Sequence, residues 1–492
     1  MSDFAIGPLS RTAPTPAHAR IVRAVAAKEW TEMRRDRRLL ALFVFTALLM
    51  LAALGFGAAE NARLARERAA AAEADRALWM GQSAKNPHAA AHFGQYAFKP
   101  LSPLSLADPG VDPYVGSAVW LEAHKQNEAQ FRPARDGGAA ARLGGLSLAY
   151  ILQTVAPLIV LLAGFAGFSG EREAGTLKQL LSLGARPRDL LAGKALALIG
   201  ASAALLAPAV IGAALAVALL TDATKFSLAD QFLRLGALVI GYAVYLSGFA
   251  FLALGVSALA TSSRAALVAL LAFWLVNSFL APRLASDIAR GLAPTPTAQE
   301  FRAGVAKDKA RTFGHDETHP AFVAFRDETL KKYGVTNVKD LPVSFRGLSL
   351  RKDDENGYVI FDEHFGALQA AYDRQDALRG SAGFLFPLLA LQPFSMAFAG
   401  SDSRAQFDFA TAAEAHRRDI QNEVSDNIIH FQRDADYVAG PELWKRIAAF
   451  SYRAPTAGFA LSGSGEAMAG LVGWLGLTVA FALFAIRRLK PL

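Results

Sequence analysis

Hydrophobic and polar positions alternate along this chain on the scale of whole segments rather than single residues. Uncharged apolar runs occupy residues 39–59, 146–168, 195–220, 235–260 and 265–282, and a sixth covers 467–486. A bilayer core about 30 Å thick takes roughly 20 apolar residues per helical crossing, so each run predicts one membrane helix. Mostly polar sequence separates the first run from the second (60–145) and the fifth from the sixth (283–466). The predicted fold class is an α-helical polytopic membrane protein: six transmembrane helices with two large, mostly α-helical extracytoplasmic insertions. Residues 1–38 and 487–492 are tails, and 169–194 form a short charged loop.

Residues 383–400 compete for a seventh crossing, with 18 positions free of charge. Pro387, Gln392 and Pro393 interrupt them, and a proline inside a helix costs about 3 kcal/mol. Charge decides the count. Six crossings keep the basic N-terminus, Arg264 and the basic C-terminus on one side, whereas seven strand Arg487 and Arg488 on the other. The segment is expected at the membrane interface or buried against the membrane ends.

Before the first crossing, residues 21–38 set Val22, Val25, Ala26 and Met33 near one face and arginines on the other, with Trp30 between. That pattern predicts an amphipathic helix in the cytoplasmic interface; a plain extension of the first membrane helix is the alternative. The Pro/Ala-rich stretch 13–19 is expected to be disordered. Within the insertions, 61–79 read as a continuation of the first helix into solvent. Residues 410–437 read as a long helix with Ile420, Val424, Ile428 and Phe431 at three- and four-residue steps. Prolines and turn residues make 99–114 loop or short strand, and the charged stretch Arg351 to Gly357 suggests a small hairpin over 344–361.

Composition and charge sharpen this picture. At 53% hydrophobic and 19% charged, the chain is too apolar for an ordinary soluble protein and too polar for a bare bundle. The net charge of +8 is concentrated where topology would put it. Eight Lys/Arg stand against four acids in the first 38 residues, and Arg487, Arg488 and Lys490 close the chain. Such clusters beside apolar helices mark the cytoplasmic side rather than a nucleic-acid patch. With Arg172, Lys178, Arg186, Arg188 and Lys194 they orient the chain in a bacterial inner membrane, both termini cytoplasmic and both insertions in the periplasm. With no cysteine there is no disulfide or thiolate metal site, so the outer parts rest on packing. No cleavable signal peptide is evident.

Candidate chemistry is sparse. His315-Asp-Glu-Thr-His319 sets two histidines four apart, but Glu317 falls one position later than the zinc-protease pattern requires and Pro320 follows at once. His88 and His92 repeat that spacing. Both pairs are expected to be solvated loop rather than metal sites. Within the crossings Gln153, Thr154, Tyr242, Tyr245, Ser247 and Asn277 are polar and none is ionisable, which argues against a proton-driven carrier. Tyr242, Tyr245, Phe249 and Trp274 are the candidates for lining a substrate route, with aromatic packing between helices as the other reading. No phosphate-binding loop is present: Gly193-Lys194 is followed by Ala195 and has no glycine five residues earlier.

The loop 169–194 carries the strongest signal. Glu171-Arg-Glu-Ala-Gly-Thr-Leu-Lys-Gln-Leu-Leu181 is followed by Gly193-Lys194 at the foot of the next helix. The pattern E-x-E-x-G-T-L-x-x-L-L resembles the cytoplasmic coupling segment of ABC type-2 export permeases, in the subgroup with large periplasmic insertions. The matching residues are Glu171, Glu173, Gly175, Thr176, Leu177, Leu180, Leu181, Gly193 and Lys194. One departure is Gly184-Ala185, where relatives often carry a proline; here Pro187 comes later. The amphipathic helix before the first crossing matches that family's elbow helix.

The resemblance implies a non-catalytic permease subunit of an ATP-driven exporter, without a cofactor of its own. ATP and magnesium would be bound by two separate ABC ATPase subunits, with Leu177, Leu180 and Leu181 seated in an ATPase groove. Glu171 and Glu173 would cap the coupling helix or pair with basic residues of the ATPase. A second copy or a paralogous permease would complete the pore, in contact with lipid, and the insertions could meet a periplasmic partner. The rival reading is a mechanotransmission or assembly subunit that passes ATPase-driven motion outward without moving a substrate.

Overall fold

The computed structural model describes residues 16–136, 145–314 and 316–489. It opens with an elbow. Helix Pro16–Arg35 stops at Asp36, an extended residue whose carboxylate accepts from the backbone N–H of Arg38 and Leu39 at 2.9 and 3.2 Å. Asp36 thereby caps a second helix, Arg37–Met80, and the plain-extension alternative for 21–38 falls away. Residues 16–19, expected to be disordered, are helical, with Pro16 at a position where its fixed φ favours a helix start; 13–15 lie outside the described residues.

Six helices among the described residues are long and apolar enough to cross a membrane: Arg37–Met80, Leu148–Glu173, Pro187–Leu220, Leu228–Leu259, Ser263–Leu292 and Gly465–Arg487. The protein is an α-helical polytopic membrane protein. The helices run past the apolar stretches that predicted them. The first has 44 residues, about 66 Å at 1.5 Å per residue, and so carries the expected continuation over 61–79. Two spans loosen locally into a π-turn, at Ile151–Val155 and Val276–Leu280, a feature frequent at functional sites.

The fourth span is the hub, packing against the second, third and sixth. Its contact with the sixth depends on Gly248. A Cβ there would lie 1.9 Å from Nε1 of Trp474, which donates to the Tyr245 carbonyl at 3.2 Å. Small residues permit such close approach where lipid offers no hydrophobic drive. Residues 383–400 do not cross: helix Leu388–Ala399 has 12 residues, and Leu388, Leu391, Phe394 and Phe398 are buried against the fourth and sixth spans. Of the two placements expected, burial is found. Arg234 donates to the carbonyls of Ala397 and Phe398 at the end of this helix, where a cation complements the helix dipole.

The two insertions share one core. Trp79, Ala97, Val119 and Leu121 from the first pack with Phe409, Ile420, Val424, Ile428 and Trp444 from the second, and the Trp79 indole donates to the Trp444 carbonyl at 3.1 Å. A small antiparallel sheet of β1 (Gln95–Phe98), β2 (Ala118–Glu122) and β3 (Lys125–Gln126), in that order, lies against them. Residues 99–114 are loop with one 3-10 turn, Pro103–Leu106. The hairpin expected over 344–361 is wrong: Phe345–Gly380 is a single 36-residue helix. Leu350 faces the shared core and Arg351 pairs with Asp426 of helix Ser403–Phe431 at 2.7 Å; tertiary contacts outweigh the turn signal of Asn356-Gly357. Phe431, expected on the apolar stripe, is exposed at that helix's end.

Candidate functional site

The second span ends in helix Ser169–Glu173, and Gly175 then turns the chain with φ of 74°, a conformation that only glycine adopts freely. Helix Thr176–Ser182 follows, and the Thr176 hydroxyl donates back to the Glu171 carbonyl at 3.2 Å. A short helix thus stands where the resemblance puts the coupling helix.

Three consecutive residues stitch this turn to its neighbours. Glu171 accepts from Lys194 of the third span at 2.8 Å and from Lys28 of the elbow helix at 3.0 Å. Lys194 also bonds Glu29 of the elbow, and its ammonium lies 5.5 Å from the Phe168 ring centroid. Burial would lower the basicity of Lys28, but its hydrogen bond to the Glu171 carboxylate and the charge of Glu29 outweigh it and hold the amine well above its ordinary range. Arg172 donates to the carbonyls of Ala258 and Ala260, where the fourth span ends. Glu173 accepts from the Ser263 backbone N–H at 2.8 Å and hydroxyl at 2.7 Å, where the fifth span begins. A cation thus sits on a helix C-terminus and an anion on an N-terminus, each matched to the local dipole.

The predicted coupling residues therefore divide. Gly193 and Lys194 point inward: a Cβ on Gly193 would lie 2.6 Å from that of Val25, so the glycine seats the elbow helix on the third span. Leu177 is 1% exposed, and Leu180 and Leu181 pack partly buried against the membrane core; the three hold the helix down rather than project from it. Glu171 and Glu173 cap and pair within the chain, not at the start of helix Thr176–Ser182. The outward surface comprises Gly175, Thr176, Lys178, Gln179, Ser182 and above all Leu183, which is 85% exposed. Leu183 and Arg172 fall between the motif positions; Leu183 carries no sequence signal, and Arg172 only that of a topology marker.

Deeper in the bundle, Tyr242, Tyr245 and Phe249 are buried and Trp274 is partly so. Their polar atoms are spoken for. Tyr245 donates to the Gln153 carbonyl at 2.7 Å and accepts from Asn277, while Trp274 donates to the Thr154 carbonyl at 2.8 Å. Gln153 and Thr154 belong to one π-turn and Asn277 to the other. A directed chain of hydrogen bonds runs from Gln153 to Tyr242, to Ser395 and to the buried carboxylate of Asp108, the last two steps 2.9 and 2.5 Å long. Within a single chain these side chains pack and bond between helices.

In the insertions, His88 and His92 lie on helix Pro87–Phe93 with their Nε2 atoms 3.2 Å apart, and His124 joins them from the β2–β3 turn. This trio gathers nitrogen donors suited to a metal, and spacing alone flagged only two of its members. His315 lies outside the described residues; His319 caps helix Pro320–Tyr333 through a bond from the Ala321 N–H.

Six apolar helices, an elbow and a charged turn stitched to three spans define a polytopic membrane protein. The chain belongs to the ABC-2 family of transporter proteins, whose family model matches residues 23–329, from the elbow helix into the second insertion. Residues 298–453 match a domain of unknown function, DUF3526. Comparison with curated proteins finds no match.

Proposed function

We propose that this chain is the permease subunit of an ATP-driven exporter of the bacterial inner membrane, with both termini in the cytoplasm and both insertions in the periplasm. Two ABC ATPase subunits bind ATP and magnesium, and a second copy or a paralogue completes the permease. The observation that carries the reading is the three-residue stitch. A push on helix Thr176–Ser182 reaches the elbow and third span through Glu171, the fourth span through Arg172 and the fifth through Glu173. The docking element is the exposed tip around Leu183, with Gln179 and Ser182 beside it.

The test is Leu183→Asp. The side chain is in solvent, so folding and membrane insertion are expected to be unchanged, while a charge forced into an apolar ATPase groove costs enough to abolish binding. Co-purification of the ATPase is expected to fall at least tenfold and stimulated hydrolysis with it. Undiminished co-purification and hydrolysis would remove the docking role.

One observation supports the transmission reading as well. The first span is a single helix that starts at the elbow cap and ends with Trp79 inside the shared core of the insertions. It is a rod able to carry motion outward whether or not a substrate passes.

A further inference from the structure

We propose that His88, His92 and His124 form a binding site for a divalent transition-metal ion of the zinc and copper class. The fold builds the trio from separate pieces. Asn86 caps helix Pro87–Phe93 by accepting from the His88 N–H at 3.0 Å, and the helix then presents His88 and His92 one turn apart. The turn between β2 and β3 is tied to that helix by a backbone bond from Ala123 to the Ala91 carbonyl at 3.2 Å. His124 takes φ of 59° there, a left-handed conformation uncommon outside glycine and often found where side-chain placement matters. Its ring centroid ends 5.0 Å from that of His88 and 5.4 Å from that of His92.

The distances suit a metal. One ring nitrogen from each histidine lies within 4.8 Å of the other two. Two imidazoles bound to a tetrahedral zinc at 2.0–2.1 Å place their nitrogens about 3.3 Å apart, and His88 and His92 stand at 3.2 Å. Imidazole donors without thiolate select zinc, copper or nickel over magnesium or calcium. A second shell is in place too. Nδ1 of His124 lies 3.0 Å from Oδ1 of Asp354 and 3.6 Å from Asp353, both carboxylates buried on helix Phe345–Gly380. A carboxylate behind a ligating histidine fixes its tautomer and raises its basicity. Lys309 fastens the same turn through the His124 carbonyl at 2.6 Å. The site borders a cavity of about 980 Å³ lined by His124, Arg302, Lys309, Phe361 and Phe365, which gives an ion a way in. Because Asp354 belongs to the second insertion and the histidines to the first, an ion here bears on the contact between them.

The experiment uses the full chain, purified without a histidine tag, stripped of metal and titrated with zinc against a chromogenic chelator. The wild type is expected to bind one equivalent, and His88→Gln with His92→Gln, on a surface helix, to weaken binding at least tenfold with an unchanged apo melting curve. Asp354→Asn is expected to weaken it ten- to hundredfold while leaving the visible spectrum of the cobalt(II) form unaltered, since it acts through His124. Equal one-to-one zinc binding by the wild type and the double variant overturns the site, because the remaining histidines of the nine in the chain would then be responsible. A wild type that takes up no stoichiometric zinc overturns it equally.

Discussion

The loop end of the bundle and its interior solve the problem of polar groups among apolar helices in opposite ways. At the loop end the contacts are full charges. Glu171, Arg172 and Glu173 answer Lys28 and Lys194, the last carbonyls of the fourth span and the first N–H groups of the fifth. In the interior the contacts are hydroxyls, amides and carbonyls: Gln153, Tyr242, Tyr245, Ser395 and Asn277. Asp108, where the directed chain ends, is the exception. Charge is tolerable where helix ends and counter-ions compensate it and costly where nothing does. Strong, directional links suit the loop end, where helix termini compensate charge, and contacts indifferent to protonation suit a packed core. Three perturbations separate the two.

Removing one charge from the loop end has the largest expected effect. Lys194 is 2% exposed and bonds two carboxylates, so Lys194→Met leaves Glu29 and Glu171 with Lys28 alone. Taking one partner from a buried ionic cluster costs about 3–5 kcal/mol. Thermal unfolding in detergent is expected to show that loss, with faster proteolysis of the elbow helix. Adding Glu29→Gln is expected to restore part of it. A loss under about 1 kcal/mol would mean that the knot is not what holds the elbow to the third span.

Asp108 gives the next largest effect and the only pH signature. Burial pushes its carboxyl up to about 6, with Asp112 adding to the rise and hydrogen bonds from Ser395 and Gly110 opposing it. In the unfolded chain the group titrates near 3.8, so between these values the folded state holds more protons. Stability contributed by the neutral acid is present at pH 4 and lost as pH rises toward 7. The displacement from 3.8 to about 6 amounts to about 3 kcal/mol. Asp108→Asn is expected to match the wild type near pH 4 and to exceed it by up to that amount at pH 7.5. An offset constant across this range would show that the carboxyl does not titrate on folding.

How much of this was legible follows the same division. The number of spans, the loop helix and the elbow could be read because each is a local pattern: a run without charge, an E-x-E-x-G-T-L string, a two-faced helix. The partners of Arg172 could not, since Ala258 and Ala260 take part only through carbonyls, which any residue owns. The resemblance places Leu177, Leu180 and Leu181 in an ATPase groove, whereas in the fold Leu177 is buried and Leu180 and Leu181 are partly buried against the bundle, contacts that no local pattern shows. Asn356-Gly357 looked like a turn until Leu350 and Arg351 found partners on helix Ser403–Phe431. The histidine trio escaped because His124 lies more than thirty positions from His92 and arrives by way of a strand turn.

The smallest effect tests the neutral interior directly. Tyr245 is fully buried between the two π-turns, donating to the Gln153 carbonyl and accepting from Asn277. Tyr245→Phe keeps the ring and its edge-on contact with Phe249, 5.0 Å between centroids. What it removes is one hydroxyl, leaving a carbonyl and an amide short of a partner in a place water does not reach. The cost expected is about 1–2 kcal/mol, below that of either charged variant. It should also be flat from pH 5 to 8, because no carboxylate or ammonium is touched. Unfolding at three pH values measures both predictions at once. A loss within a few tenths of a kcal/mol of zero would mean that the π-turns are held by ring packing alone. A loss that grew with pH would tie Tyr245 to the titration of Asp108 through Gln153 and Tyr242.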